Sequence, residues 1–519
     1  MRYPISIQTF DEIINGKYVY VDKTDLVYNL AQGHVCFLSR PRRFGKSLLI
    51  STLEAYFSGK KELFKGLKID GLEKDWDKYP VFRVDFAGGD YTKCDELEKK
   101  INKLIGEWER EYGADELCQT ISDRFKHVLE AAEEKNGRKV VVLIDEYDKP
   151  LLDVLGTEQE QKNRETLKGF YSTFKEADAH IRFVFLTGVT KFSQVSVFSG
   201  LNNLKDISMD SRYDAICGIT EEELNLYFDD SIKKLAEKME YTAEEMKRKL
   251  KKQYDGYHFS ENLDLGIYNP YSIINAFDSM KTDDYWYKTG TPTYLAKLLE
   301  GHNINMQKLL SEEYKSKYFV DYSADEENPL AMLYQSGYLT IKGYDKTDKV
   351  YRLDFPNDEV KSGLATLIAN GYFKKDNDDL DCSILKISRM LRRCDIDGVR
   401  DSFTSFLSSI PYEANKDERA KDFETHFSYT FYLINRMLGC YTTLIEKQNS
   451  KGRADVIIET DNDVFIFEFK LDGSAQDALK QIEEKQYAVP YLDDKRKVHK
   501  IGVNISSESR TVDEWEVEN

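Results

Sequence analysis

The sequence predicts an α/β protein of more than one domain. An N-terminal parallel sheet would carry helices on both faces, a helical region would follow, and a compact α/β unit would close the chain. Three observations predict this. Short apolar segments alternate with helix-like segments through the first two hundred residues, and strands separated by helices of that length form parallel sheets. Punctuation by Pro and Gly then replaces the alternation from about residue 220 to 345. The last hundred residues follow an α-β-β-β-α-β order.

In chain order, residues 34–39 (HVCFLS) form a short apolar strand, and 46–58 a helix with Leu48, Leu49, Leu53 and Phe57 near helical spacing. Residues 80–86 (PVFRVDF) are a strand and 95–134 are helical and rich in charge. Residues 139–144 and 182–189 (RFVFLTGV) are two further apolar strands. EEELNLYF and Lys233 to Lys252 are helical with one exposed side. Residues 333–344 predict a helix end, a turn and a strand, and KVYRLDFP supplies a partner strand, as in a winged helix. Residues 358–410 are helices interrupted by DNDDLDC at 376–382. A long amphipathic helix spans about Ala420 to Leu438. Strands at 443–447, 453–459 and 463–470, a helix from Ala475 to Tyr487 and a strand at 498–505 complete the chain. The domains divide at 1–215, 216–375, 376–411 (a helical linker) and 412–519.

Composition narrows the function classes. Of 519 residues, 41% are hydrophobic and 32% charged, which supplies real cores and excludes a wholly disordered chain. The apolar runs, such as Val140–Ile144, are far too short to span a bilayer, and MRYPISIQTFDEII lacks a secretory apolar core. A cytoplasmic protein without a membrane partner is expected. Seven scattered cysteines (Cys36, Cys94, Cys118, Cys217, Cys382, Cys394, Cys440) include no CxxC pair, which fits free thiols in a reducing compartment. The formal net charge of −18 opposes coating of nucleic acid by the whole surface, so any such contact uses a local basic patch.

Residues 40–47 (RPRRFGKS) lie between an apolar strand and a helix. Phosphate binding needs this context: a tight turn, converging N–H groups and the positive end of a helix. Lys46 would reach the β- and γ-phosphates and Ser47 a Mg²⁺ ion. Arg40 stands where the full pattern has its first Gly. The strand VVVLIDEYD (140–148) ends in carboxylates at the sheet edge where open α/β sheets bind ligands. Asp145 would belong to the Mg²⁺ shell and Glu146 would polarise the attacking water. The strand at 182–192 would lie beside it and offer Thr187 or Thr190 as a polar sensor of the γ-phosphate, with Lys191 as a further candidate. No arginine finger follows from spacing.

A second constellation lies in RADVIIETDNDVFIFEFK (453–470). Glu468 and Lys470 are two apart and share a strand face, while Phe467 and Phe469 take the other. A hairpin would bring Asp455 near Glu468, and two carboxylates at that separation suit a divalent metal. A lysine beside them suits orienting a water or offsetting phosphate charge. A cross-strand salt bridge on a solvated face is the plainer reading of the same residues. Glu424 on the preceding helix and Gln481 on the following one favour a site.

At this point the chain resembles a large bacterial family with an N-terminal AAA-ATPase-like domain and a C-terminal PD-(D/E)XK nuclease-like domain. The strings that carry the likeness include SRPRRFGKSLLISTLEAYF, VVVLIDEYDKPLLD, FLTGVTKFSQVSVFSGLNNLKDIS, YDGYHF, YNPYSIINAF, LYQSGYLTI, GRADVIIE and VFIFEFKLDGSAQDALKQIEEKQYA. The resemblance implies a P-loop NTPase domain, a helical and winged-helix-like middle region and a restriction-endonuclease-like α/β domain. It also implies that Arg40 belongs to the family's own loop pattern. It places Arg43, Gly45, Lys46, Ser47, Asp145 and Thr187 at ATP and Mg²⁺, with Glu146 catalytic. In the nuclease pattern Glu424 matches the helix carboxylate and Asp455 the first metal ligand. Glu468 and Lys470 match the E-x-K pair, and Gln481 the following helix. Nucleic acid, DNA ahead of RNA, would be cut with Mg²⁺ or Mn²⁺, in defence or mobile-element biology. AAA-like domains often assemble, so a homo-oligomer is compatible with this. The alternative is a nucleotide-switch ATPase whose C-terminal domain binds nucleic acid or protein without cutting.

Overall fold

The computed structural model describes residues 1–191, 204–289, 309–310, 312–321, 329–364, 377–408, 443–444, 448–449, 452–453, 456–492, 494–506, 508–509 and 511–518. For 377–384, 406–408, 443–444, 448–449 and 452–453 the description is of backbone alone. The chain forms two compact units. One comprises Met1–Leu298 with Lys308–Val360, and the other Leu299–Gln307 with Lys361–Asn519.

The first unit is built on a parallel sheet of β1 (Val35–Ser39), β2 (Val81–Asp85), β3 (Val140–Asp145), β4 (Ile181–Gly188) and β5 (Lys205–Asp206), in the order β2-β3-β4-β1-β5. The run Val-Val-Val-Leu-Ile-Asp makes β3 because branched side chains suit a pleated strand. All six of its residues are buried, as expected of a strand covered on both faces. β4 lies between β1 and β3. The phosphate-loop strand and the Asp145 strand are therefore not neighbours, and the end of β4 delivers Thr187 between them.

The stretch 95–134 is two helices, Glu96–Tyr112 and Ile121–Asn136. Gly113 stops the first with φ of 101°, and Thr120 starts the second by accepting from the Asp123 N–H. Phe125, Val128, Leu129 and Ala132 fall on one face of the second helix and are buried. Phe125 stacks on Phe170 of the helix Glu158–Glu176, with ring centroids 4.8 Å apart.

Beyond the sheet, β6 (Ile219–Thr220) pairs with β7 (Ile267–Tyr268). The helices Glu221–Lys238 and Ala243–Tyr254 each begin with a complete capping box, Thr220 with Glu223 and Thr242 with Glu245. The helix Leu330–Gln335 leads into an antiparallel hairpin of β9 (Thr340–Asp345) and β10 (Val350–Asp354), and β8 (Glu313–Tyr314) flanks β10. Gly337, between helix and hairpin, has φ of 89°, and a Cβ there would lie 2.6 Å from Cβ of Pro41. Only glycine lets this turn rest against the phosphate loop.

In the second unit, helices Asn377–Arg392 and Ile396–Ser408 precede a mixed sheet. Its strands β11 (Thr443–Leu444), β14 (Val456–Glu459), β15 (Asp463–Leu471), β16 (Lys497–Ser506) and β17 (Thr511–Glu518) run in the order β11-β14-β15-β16-β17. β12 (Gln448–Asn449) and β13 (Gly452–Arg453) form a separate pair. β15 and β16 are parallel, joined through the helix Ala475–Glu484. β17, which the sequence pattern did not disclose, adds antiparallel to β16 as the sheet's edge. The expected helix at about 420–438 lies outside the described residues.

Candidate functional site

Gly45 precedes the helix Lys46–Phe57 with φ of 94°, and a Cβ at this position would meet nothing within 4 Å. Space is thus left open at the helix N-terminus, where an anion is favoured. Lys46 is buried, and its Nζ donates to the carbonyl oxygens of Arg40 and Pro41, both at 2.9 Å. Burial lowers the pKa of its ammonium, against the attraction of Glu146, Asp145 and Asp148. Arg43 is exposed, has φ of 66°, and holds its guanidinium 5.0 Å from the ring centre of Tyr271.

Arg40, the departure from the first glycine, is a structural residue. It is 1% exposed. Its guanidinium donates to the carbonyls of Ser39 (2.9 Å), Ser208 (2.8 Å) and Tyr213 (3.1 Å), and lies 3.9 Å from the ring centre of Phe259. Phe44 anchors the far end of the loop edge-on against Tyr257 and Phe259, at 4.8 and 5.6 Å. The loop is therefore clamped at both ends by the YDGYHF segment.

Across the sheet edge, Asp145 accepts from the Thr187 hydroxyl at 2.7 Å, and both are buried. Glu146 has φ of 51°, and burial raises the pKa of its carboxyl. Thr190 and Lys191 are committed elsewhere. Asp148 accepts from the Thr190 hydroxyl (2.8 Å) and from the N–H groups of Val189 and Thr190 (2.9 and 2.6 Å). Lys191 pairs with Asp206 and Asp321, each at 2.9 Å.

The phosphate loop and the end of β3 border a cleft of about 470 Å³, within the range of small-molecule sites. Arg43, Gly45, Lys46, Ser47, Glu146 and Asp148 line one side, with Ser6, Ile7, Tyr271 and Ile274 also in its wall. Asp145 and Thr187 are not part of the lining. Tyr271 falls within the YNPYSIINAF string, but no spacing rule relates it or the N-terminal segment to the phosphate loop. The hydroxyl and carboxylate donors of Ser47, Asp145 and Glu146 are hard oxygen ligands, which fit Mg²⁺, and the buried Lys46 ammonium fits a polyphosphate.

In the second unit, Glu468 is 2% exposed on β15. Gln481, from the helix Ala475–Glu484, bridges the strand pair. Its Nε2 donates to Glu468 Oε1, and its Oε1 accepts from Lys470 Nζ at 2.5 Å. Lys470 Nζ lies 3.9 Å from Glu468 Oε1. The structure thus brings together Glu468, Lys470 and Gln481, while Asp455 and Glu424 lie outside the described residues. The buried carboxylate fits Mg²⁺ or Mn²⁺ as an oxygen donor.

The parallel sheet with its phosphate loop defines a P-loop class of protein, joined here to a mixed sheet bearing an E-x-K strand. Residues 4–198 match the family described as Predicted AAA-ATPase, and residues 422–515 match the PD-(D/E)XK nuclease superfamily. The chain is also 35% identical over 523 residues to a protein of Azotobacter chroococcum mcd 1 named "Uncharacterized protein in vnfD 5'region", a match covering 98% of each chain. The chain belongs to this family of AAA-ATPase-like proteins with a C-terminal PD-(D/E)XK nuclease superfamily domain. Among the described residues no helix is long and apolar enough to cross a membrane.

Proposed function

We propose that the protein is an ATP-gated nuclease: an ATPase whose nucleotide state governs a metal-dependent phosphodiesterase acting on nucleic acid, DNA ahead of RNA. The observation that carries it is the Glu468–Gln481–Lys470 chain of contacts. A carboxylate buried beside an amine and bridged to it by an amide is costly for a domain that only binds, and it suits phosphate chemistry. In this reading residues 1–215 bind ATP, 216–375 form the helical, winged-helix-like lid, 376–411 link, and 412–519 cut.

At the N-terminal cleft, Lys46 would exchange its two loop carbonyls for β- and γ-phosphate oxygens, with Arg43 and Gly45 alongside. Ser47 and Asp145 would hold Mg²⁺, which supplies charge neutralisation on the phosphates. Glu146, whose raised pKa reflects burial, takes the proton of the attacking water. Thr187 keeps Asp145 oriented. In the C-terminal domain Asp455, Glu468 and Glu424 would hold Mg²⁺ or Mn²⁺, and Lys470 orients water against the scissile phosphate. A cytoplasmic location and a role in defence or mobile-element biology fit this chemistry.

Cleavage of supercoiled plasmid with Mn²⁺, with and without ATP, tests the proposal on the native chain and on Lys470→Ala. Cleavage by the native chain, lost in Lys470→Ala and changed by ATP, is expected. If neither protein cuts plasmid, single-stranded DNA or RNA, the nuclease reading fails. The nucleotide-switch alternative, which the net charge of −18 favours, then replaces it.

A further inference from the structure

A cysteine, a histidine and a carboxylate meet on the second unit, away from the E-x-K pair. Cys394 lies in the turn between helices Asn377–Arg392 and Ile396–Ser408. Asp463 begins β15, and His499 lies on β16. Their Sγ, Oδ1 and ring-nitrogen atoms all fall within 4.8 Å of one another. His499 Nε2 is 3.4 Å from Cys394 Sγ and 2.9 Å from Asp463 Oδ1. The same ring nitrogen faces both partners. A nucleophilic triad needs the opposite, with thiol and carboxylate on different ring nitrogens, so that use is excluded.

We propose that Cys394, Asp463 and His499 bind a zinc ion that clips the helical turn to the start of the parallel strand pair. The donor types agree. Thiolate, imidazole and carboxylate together select zinc over Mg²⁺ or Mn²⁺. The spacing agrees as well. Tetrahedral zinc with ordinary bond lengths separates S from N by about 3.6 Å and N from O by about 3.4 Å. The corresponding separations here are 3.4 and 2.9 Å, so an ion is admitted by an outward shift of about half an ångström.

The site is held in shape before any ion arrives. The imidazole stacks on Phe465 at 5.0 Å with 16° between the planes. The Thr460 hydroxyl accepts from the Asp463 N–H at 3.0 Å. Cys394 presents its thiol from a left-handed backbone with φ of 53°, a conformation that costs free energy in a residue with a Cβ. Asp463 and His499 are buried and Cys394 is half-buried, so the fourth position would take water from the side of the turn. Binding releases the thiol proton to solvent as the Zn–S bond forms. The proton that His499 Nε2 directs at Asp463 also leaves Nε2, so that the ring coordinates as the neutral imidazole with its one proton on Nδ1.

The ion proposed here is distinct from the nuclease metal. Asp463, Phe465 and Phe467 project from one face of β15. Val464, Ile466, Glu468 and Lys470 project from the other, where Val464 and Ile466 pack on Leu479 and Ile482.

The test is titration of the chelator-stripped full chain with Co²⁺, read by absorption. One equivalent should give a thiolate-to-cobalt charge-transfer band, displaced by Zn²⁺. Cys394→Ser should abolish that band and His499→Gln should weaken Co²⁺ binding at least about tenfold, while Glu468→Gln leaves it intact. No thiolate band, or a band that survives in Cys394→Ser, overturns the proposal. Should the variants unfold, alkylation of the native chain decides. Zn²⁺ should slow iodoacetamide modification of Cys394 at least tenfold and leave the exposed Cys94 unchanged. Equal rates at Cys394 with and without Zn²⁺ would show an ordinary thiol beside an Asp463–His499 hydrogen bond.

Discussion

The indole Nε1–H of Trp286 donates a hydrogen bond of 3.1 Å to the carbonyl oxygen of Arg42. The residue is far along the chain from the phosphate loop yet fixes the orientation of a peptide group within it. Trp286→Phe keeps most of the buried ring and removes the donor. A net hydrogen bond contributes about 1 kcal/mol, so ATP affinity should fall roughly 3- to 10-fold. Calorimetric titration checks this, and an unchanged affinity would show that the loop holds its shape without the indole.

Behind Trp286 stands Glu359, 1% exposed, which accepts from the Trp286 backbone N–H at 2.5 Å and from the Ser272 hydroxyl at 2.8 Å. Burial raises its pKa from 4.5 to about 8, and burial likewise raises that of its neighbour Asp284 to about 6. The sign follows from proton linkage. The folded chain keeps the Glu359 proton to higher pH than the unfolded chain does. The stability it contributes is full below about pH 4.5 and is lost as pH rises through about 8. Glu359→Gln keeps the shape without the titration. From about pH 6 to about pH 9 the thermal midpoint of the native chain should fall more than that of Glu359→Gln. Parallel curves would mean that Glu359 is ionised throughout.

Much of this was legible in the sequence, for a physical reason. β3, β4 and the helix Lys46–Phe57 are specified by local apolar runs and by a glycine whose left-handed backbone the helix start requires. Gln481 was legible because a helix following the Glu468–Lys470 strand must pack on that strand. What stayed hidden depends on distant partners. No spacing rule joins Arg40 to Ser208 and Tyr213, or Trp286 to Arg42. Lys191 resembles a catalytic candidate at a strand end until Asp206 and Asp321 are seen to hold it. β17 escaped because an edge strand with one mostly solvated face, Thr511–Glu518, lacks the apolar run that marks the inner strands.

Arg40 yields a prediction that separates a decayed phosphate loop from a rebuilt one. If the arginine were a loss of function, restoring glycine would improve nucleotide binding. The three carbonyls it satisfies argue the reverse. Arg40→Gly would take the guanidinium donors away from the Ser39 and Ser208 carbonyls, leave Tyr213 with only its bond from the Ile216 N–H, and open a void beside Phe259, at a cost of about 3 kcal/mol or more. Urea unfolding should show that loss, together with weaker ATP binding. A variant as stable as the native chain that binds ATP more tightly would refute the clamp.

Thr187 is placed to act on Asp145 without lining the cleft. Thr187→Val retains the branched shape in β4 and removes the 2.7 Å hydrogen bond. ATP affinity should change less than threefold, while ATP turnover falls by about 10-fold or more because the carboxylate loses its fixed orientation. Comparing Kd with kcat for this variant distinguishes orientation of a reacting group from binding. A raised Kd with kcat unchanged would assign Thr187 to the binding of nucleotide.

Gln481 presents the same logic at the second site, with a sharper sign. One end of its amide donates to Glu468 and the other accepts from Lys470, so it holds an acid and an amine at a set separation without neutralising either. Gln481→Ala frees both side chains, and loss of such a supporting contact weakens metal binding or activity about 10- to 100-fold. Gln481→Glu keeps the length and the acceptor for Lys470 but places a second negative charge against Glu468. That charge would attract Mn²⁺ while drawing Lys470 into an ion pair. Mn²⁺ affinity measured by titration should therefore fall in Gln481→Ala and be held or rise in Gln481→Glu, whereas plasmid cleavage should fall in both. Cleavage retained in Gln481→Glu would show that the lysine works equally well when paired, and that the neutral bridge serves packing alone.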